Sequence, residues 1–172
     1  MGSHMLPMKE LKPLFERCGC VDVTTYIRSG NVVFRSTDAI GGGLARRLAD
    51  AVAKRYGFEP HVLVLTRSEL EIAADGNPFP EAEANPKSLH VFFLASQPKD
   101  PDLAALEALR APSERFALKG RAFYLHTPDG FGTSKLAGRA ERLIGVPATA
   151  RNWRTVRTLV EMARATAATP GR

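Results

Sequence analysis

The residues best suited to chemistry lie in the second half of the chain and are of a kind that binds anions. Gly130 and Gly132 stand in a short loop that leads into Ser134 and Lys135, the first residues of an expected helix. A helix start presents unpaired backbone N–H groups and the positive end of the helix dipole. Glycine lets a ligand approach the backbone closely. The pattern therefore predicts a site for a phosphate or a carboxylate.

Further polar residues, distant in the chain, are expected at the same place. In a βαββαβ unit the third and fourth strands end at the edge where the first strand begins. Lys87 precedes the expected first strand, and Arg151 and Asn152 end the fourth. An arginine can hold a phosphate through two parallel hydrogen bonds. The candidate ligand-binding residues are therefore Lys87, Gly130, Gly132, Ser134, Lys135, Arg151 and Asn152.

A purely structural explanation of these residues stays open. Ser134 and Asn152 are typical helix N-caps, and Gly130 and Gly132 are typical turn residues. The loop also lacks the full spacing of a nucleotide-binding P-loop. These residues therefore indicate an anion site without identifying its ligand.

Other kinds of chemistry have less support. Residues 119–126 match an RNA-recognition pattern at Lys119, Gly120, Ala122 and Phe123, but two of its stacking aromatics are missing. His90 and His126 are expected on neighbouring strands, without the further ligands that a metal site needs. We find no nucleophile–base–orienter set and no closely spaced carboxylate pair. The sequence therefore predicts no metal and no cofactor, and leaves an enzymatic activity uncertain, with the balance against one.

The positive charge is concentrated in the last third of the chain. Residues 110–172 contain 12 Lys and Arg against 4 Asp and Glu, whereas the remaining residues contain 12 against 14. Such asymmetry favours an acidic partner or ligand for the C-terminal part. The alternative is that the arginines only solvate exposed helix faces.

Hydrophobic spacing predicts two similar halves. The first has the order helix, strand, strand, helix, strand, with a hairpin turning at 28–30, a helix opening at 40–43 and a buried strand at 59–66. Ser68 and Glu71 have capping-box spacing for a short helix. The second half adds an opening strand and a terminal helix. Its expected elements are strands at 89–95, 115–118, 122–126 and 149–151 and helices at 102–110, 135–144 and 155–168.

This order predicts an α+β fold with two tandem ferredoxin-like (α-β plait) lobes, the first lacking its opening strand. We expect an N-terminal lobe at 6–66, a helix and linker at 67–87, and a C-terminal lobe at 88–172 that includes the terminal helix.

Several segments resemble a bacterial family of unknown function, the domain-of-unknown-function family DUF1697. They are Pro7–Leu11, Thr25–Phe34 with its Ser-Gly-Asn turn, Asn77-Pro78-Phe79, Gly130–Leu136, and Thr149–Val156 with Arg-Asn-Trp. Family members usually begin with an apolar strand and a Gly-rich turn, which are not found before Pro7 here. The resemblance implies the two-lobed fold and supplies no established activity.

Three functions remain open. The first is a binding module for an anionic, phosphorylated small molecule, or for a nucleic-acid backbone, through the basic C-terminal lobe. The second is an enzyme acting on an anionic metabolite at the same edge, and the third is a structural or interaction protein. No apolar run is long enough for a membrane span and no leader is evident, so we expect a soluble cytoplasmic protein without a membrane partner. The oligomeric state is not predicted.

Overall fold

The structure is a computed structural model that describes residues 7–26, 30–38 and 43–168. The chain divides into two compact units. Unit 1 comprises Met1–Glu69 and Leu159–Arg172, and unit 2 comprises Leu70–Thr158. The expected hairpin turn at Arg28 and Ser29 and the helix opening at 40–42 lie outside the described residues. Both units combine helices with an antiparallel sheet, so the fold is α+β.

Unit 1 packs two amphipathic helices against a hairpin. The helix α1 (Met8–Arg17) buries Leu11 and Leu14, and α2 (Leu44–Tyr56) buries Leu48 and Val52. The strands β1 (Val21–Tyr26) and β2 (Asn31–Arg35) pair in antiparallel fashion. These buried side chains form one apolar cluster with residues of the hairpin. The expected helix–strand–strand–helix order is therefore present.

The prediction of a buried strand at 59–66 is wrong. These residues form no strand, and the side chains at 62–65 are only half-buried. Val62 and Val64 nevertheless pack against the apolar cluster of unit 1. Among the described residues, no strand lies beside this apolar run for it to pair with.

The helix α3 (Arg67–Asp75) begins at a capping box, but two residues earlier than predicted. The Glu69 backbone N–H donates to Thr66 Oγ1 at 2.9 Å, and the Thr66 N–H donates to Glu69 Oε2 at 2.8 Å. The Ser68–Glu71 pair has the same spacing but starts inside the helix. The reciprocal bonds identify Thr66 as the N-cap.

Unit 2 is built on a four-stranded antiparallel sheet. Its strands are β3 (Leu89–Leu94), β4 (Arg115–Lys119), β5 (Ala122–His126) and β6 (Ala148–Asn152), in the order β4-β5-β3-β6. This is the order expected for the βαββαβ half. The helices of this half are α4 (Leu103–Leu109), α5 (Ala140–Ile144) and α6 (Trp153–Ala168), with 3-10 helices at Pro80–Ala84 and Phe131–Thr133.

The two faces of this sheet are covered differently. On one face Phe92 and Phe123 pack with Leu106 of α4 and Ile144 of α5. On the other face the Tyr124 hydroxyl donates to the Ala73 carbonyl of α3 at 2.6 Å. Burial raises the pKa of Tyr124 to about 12. Both faces of β5 are therefore buried by protein.

Candidate functional site

The structure brings the three predicted segments together at one edge of the unit 2 sheet. The Trp153 N–H donates to the Pro86 carbonyl at 3.1 Å, and the Thr127 N–H donates to the Ser88 carbonyl at 2.7 Å. The chain before β3 is thus held between the ends of β5 and β6. We call this edge the rim and define it as residues 86–88, 127–135 and 152–153.

The rim carries two exposed lysines. Lys87 lies between the two backbone bonds just described, and Lys135 follows the loop that leaves β5. Asp129 is the acidic residue of the rim, and its carboxylate accepts a hydrogen bond from the Ser113 hydroxyl. The lysines therefore give the rim a net positive charge.

Gly130 and Gly132 are both exposed on the loop of the rim. Gly130 has a φ of +119°, a conformation that L side chains rarely adopt, and its N–H donates to the Thr127 carbonyl at 3.1 Å. A glycine is therefore needed here for the turn itself, whatever the loop binds.

Ser134 caps a turn and not the start of a long helix. Its Oγ accepts from the Ala137 N–H at 3.0 Å, and its carbonyl accepts from the Gly138 N–H at 3.2 Å. The helix predicted from Lys135 is wrong at its start, since residues 135–139 form turns and α5 begins at Ala140. Gly138 in this first turn weakens helix formation. The Ser134 hydroxyl keeps its proton available to a ligand.

Asn152 is used as the N-cap of α6. Its Oδ1 accepts from the Thr155 N–H at 2.9 Å. This is the structural role that the sequence left open for Asn152. The bond satisfies one of the unpaired N–H groups at the start of a long helix.

Replacing this cap should affect stability and leave ligand binding unchanged. We expect Asn152→Ala to lower the free energy of unfolding by about 0.5–2 kcal/mol, measured by urea denaturation. Asn152→Ser should retain most of the stability because serine caps about equally well and adds no charge. A loss of phosphate binding in a folded Asn152→Ser protein would instead place Asn152 in contact with the ligand.

The strand register places Arg151 on the sheet face opposite to the one on which Phe131 of the loop packs. Ala150 pairs with Phe92 and packs with it on the face covered by α5. Successive residues of a strand point to opposite faces, so Arg151 lies on the other face. Its Nη1 donates to the Ala150 carbonyl at 2.8 Å, and burial lowers its pKa. Arg151 therefore lies apart from the loop that carries Lys135.

A residue that the sequence did not single out for the rim lies directly beneath it. The ring of His90 stacks on Phe131 with centroids 3.7 Å apart. His90 pairs with Asn152 of β6 in the sheet register. Its Nδ1 is buried without a hydrogen-bond partner among the described residues, and burial lowers the pKa of His90 to about 4. The sequence signal that could have pointed to His90 is that a titratable residue interrupts the apolar run of β3.

The two sheet histidines do not form a pair. His90 lies opposite Leu125 and His126 lies opposite Leu89, so the two rings point to opposite faces. Burial, together with the nearby Arg115, lowers the pKa of His126. Within the part of the chain that the structure describes, no group of three or more His, Cys, Asp or Glu residues could hold a metal ion.

The segment that matched the RNA-recognition pattern does not offer its aromatic ring. Phe123 is 0% exposed and packs between Phe92 and Phe116, with both ring centroids 5.5 Å away. A base stacks on an exposed ring. This arrangement excludes stacking on Phe123 in the folded protein.

The Asn-Pro-Phe segment has a local structural role. Asn77 Oδ1 accepts from the Phe79 N–H at 2.9 Å, and Asn77 Nδ2 donates to Glu83 Oε1 at 2.9 Å. The Arg115 guanidinium lies 4.7 Å from the centre of the Phe79 ring. These contacts fix the turn that leads into the first 3-10 helix.

A separate cleft lies in unit 1. It has a volume of about 430 Å³ and is lined by Lys12, Glu16, Asp22, Val23, Thr24, Ala165 and Thr166. It contains none of the predicted site residues, and its mixed charges do not select for anions. Across the described ranges, no helix is both long and apolar enough to span a membrane.

Fold and rim together define an α+β protein with two compact units and a basic sheet edge in the second. The chain belongs to the family described as "Protein of unknown function (DUF1697)", whose model matches residues 1–124. No curated protein matches the chain significantly.

A solved structure with a similar fold is the conserved bacterial protein SP0830 from Streptococcus pneumoniae. It is 21% identical, with a TM-score of 0.69, over 95% of this chain and 92% of that chain. This likeness supports the fold and is too distant to carry a function.

Proposed function

We propose that unit 2 is a binding module for a phosphorylated small molecule, held at the rim by Lys87, Lys135 and the Gly130–Ser134 loop. The main support for this proposal is a pair of backbone hydrogen bonds, from Trp153 to Pro86 and from Thr127 to Ser88. These bonds hold an exposed lysine at the edge where the glycine loop leaves the sheet. The concentration of basic residues in 110–172 supports an anionic ligand.

The proposal uses fewer residues than the sequence suggested. Asn152 is occupied as a helix cap, and Arg151 lies on the other face of the sheet. The remaining groups are two ammonium groups, one hydroxyl and the exposed backbone of the glycine loop. These groups donate hydrogen bonds to phosphate oxygens without selecting a particular organic part of the ligand.

We propose further that unit 1 is a second ferredoxin-like plait, so that the fold is a tandem. Its helix–hairpin–helix–extended-segment order parallels α4, the β4–β5 hairpin, α5 and β6 of unit 2. This proposal concerns only the fold of unit 1 and is independent of the anion site.

The binding proposal predicts a selective effect of the rim lysines. We expect Lys87→Ala and Lys135→Ala each to weaken binding of inorganic pyrophosphate about three- to tenfold in calorimetric titrations. The matched control is Lys99→Ala, an exposed lysine beyond the opposite end of β3. Binding should also weaken as salt rises, because the contacts are charged and exposed.

The nucleic-acid alternative is tested in the same titration. Replacing pyrophosphate by a short single-stranded oligonucleotide should give weaker binding per phosphate if the rim is a compact site. The proposal is wrong if Lys99→Ala weakens pyrophosphate binding as much as the rim variants do, or if only the oligonucleotide binds.

A further inference from the structure

The cleft of unit 1 lies where β1 departs from regular strand geometry. Val21 pairs with Arg35, and Thr24 pairs with Val33. Three steps along β1 thus match two steps along β2, which gives β1 one extra residue. Such a β-bulge takes part of the backbone out of the ladder and changes the direction of the side chains beside it. The bulge therefore lies in the part of β1 that lines the cleft.

Asp22 lies within this bulge in a backbone conformation that few residues adopt. Its φ is +51°, in the left-handed region that disfavours residues with a Cβ atom. Its Oδ2 accepts from the Nε of Arg35 at 2.5 Å, which neutralises its charge. Its Oδ1 forms no hydrogen bond within the part of the chain that the structure describes. Backbone strain of this kind is often found at binding sites.

The helix α1 brings two further charges to the cleft. Lys12 and Glu16 are one helical turn apart, both are exposed, and both line the cleft. Opposite charges at this spacing often pair with each other. Here neither side chain forms a hydrogen bond or an ion pair with any residue that the structure describes. An ammonium group and a carboxylate are thus both available to a ligand.

The remaining walls of the cleft are small and uncharged. Val23 is buried and belongs to the apolar cluster of unit 1. Ala165 and Thr166 of α6 line the cleft as well, and the Thr166 hydroxyl donates to the Met162 carbonyl at 2.9 Å. The volume of about 430 Å³ lies within the range of small-molecule sites. The cleft therefore has room for a small molecule that has an apolar part.

We propose that this cleft binds a free α-amino acid with an apolar side chain, its carboxylate at Lys12 and its ammonium group at Glu16 and Asp22. The two carboxylates are balanced by the charges of Lys12 and Arg35. A ligand that carries both charges can therefore satisfy the site, whereas a simple anion or cation satisfies only part of it. This inference goes beyond the anion site of unit 2 and does not depend on it.

The test is an amide NMR titration of the full chain with three related compounds. They are L-leucine, leucinamide, which lacks the carboxylate, and N-acetylleucine, which lacks the ammonium group. We expect saturable shifts with L-leucine that are largest at Lys12, at Glu16 and in residues 22–24. Each derivative should bind about three- to tenfold more weakly, because it loses one charged contact at an exposed site.

Variants of α1 separate the two ends of the ligand. Lys12→Ala should weaken binding of L-leucine about three- to tenfold and leave leucinamide binding unchanged, since leucinamide has no carboxylate to lose. Glu16→Gln should weaken binding of L-leucine by a similar factor and leave N-acetylleucine binding unchanged. The matched control is Lys54→Ala, an exposed lysine of α2 outside the cleft, which should affect none of the three compounds.

Three outcomes would overturn the proposal. They are equal binding of L-leucine and either derivative, no saturable shifts at millimolar L-leucine, and an equal loss of L-leucine binding in Lys54→Ala and Lys12→Ala. Lys12→Ala should bind pyrophosphate as the parent chain does, so this proposal and the anion site fail separately.

Discussion

Replacing Phe123 by alanine should lower the free energy of unfolding of unit 2 by about 3–5 kcal/mol. The ring is fully buried and packs between Phe92 and Phe116 on the helix-covered face of the sheet. Its removal forfeits the transfer free energy of the ring and leaves a cavity that well-packed strands and helices fill only in part. Urea denaturation followed by circular dichroism measures the change.

The control for this prediction is Ile72→Ala. Ile72 is 70% exposed on α3, and its truncation should change stability by less than about 0.5 kcal/mol. A cost below about 1 kcal/mol for Phe123→Ala would contradict the buried position of the ring. It would also reopen base stacking on β5 as a function.

The second large effect is a loss of stability in acid that originates at His90. Burial lowers the pKa of His90 to about 4, below the ordinary value of about 6.5. The unfolded chain therefore binds a proton more readily than the folded protein does between these values. The contribution of His90 is complete above about pH 6.5, declines as the pH falls, and reaches its minimum below about pH 4.

The size of this effect is set by how completely the ring is desolvated. A shift of this extent corresponds to about 3 kcal/mol for a fully buried group, and the partial exposure of His90 reduces it to about 1–2 kcal/mol. The unpartnered Nδ1 is consistent with this, since no group beside it would accept a hydrogen bond from a proton added there.

Denaturation midpoints of two variants measured between pH 4 and 7 test this assignment. His90→Phe keeps an aromatic ring beside Phe131. It should reduce the loss of unfolding free energy between pH 7 and pH 4 by about 1–2 kcal/mol. His61→Phe removes an exposed histidine of unit 1 and should leave the slope as it is in the parent chain. An unchanged slope in His90→Phe would show that other groups cause the acid sensitivity.

Local sequence patterns predicted most of the helices and strands. The wrong predictions arise where a segment depends on pairing with residues distant in the chain. The helical spacing of Leu11 and Leu14 and the β-branched hairpin residues specify α1, β1 and β2 from short-range information. The run at 62–65 has the same apolar character, but a strand also needs a neighbour with free backbone groups. That requirement is not visible in a local window.

The same distinction applies to the site. Strand order predicts which segments meet, whereas strand register determines which side chains face each other there. The strand order of a plait predicted that residues 85–88, 129–134 and 151–152 would meet at one edge, and the backbone bonds of Pro86 to Trp153 and of Ser88 to Thr127 lie at that edge. Which side chain faces the rim depends on register, and a shift of one residue exchanges the faces. Arg151 and Asn152 are consecutive, so topology alone could not separate them. The stacking of His90 on Phe131 likewise arises only when the loop folds over β3.

The central claim is that the rim of unit 2 binds phosphate groups, and amide NMR during a titration with pyrophosphate tests it most directly. The account predicts saturable shifts that are largest at Lys87 and from Gly130 to Lys135, with little change at the exposed Lys99 and Arg142. Shifts of similar size at every exposed cation, or none at the rim up to millimolar ligand, would contradict the account.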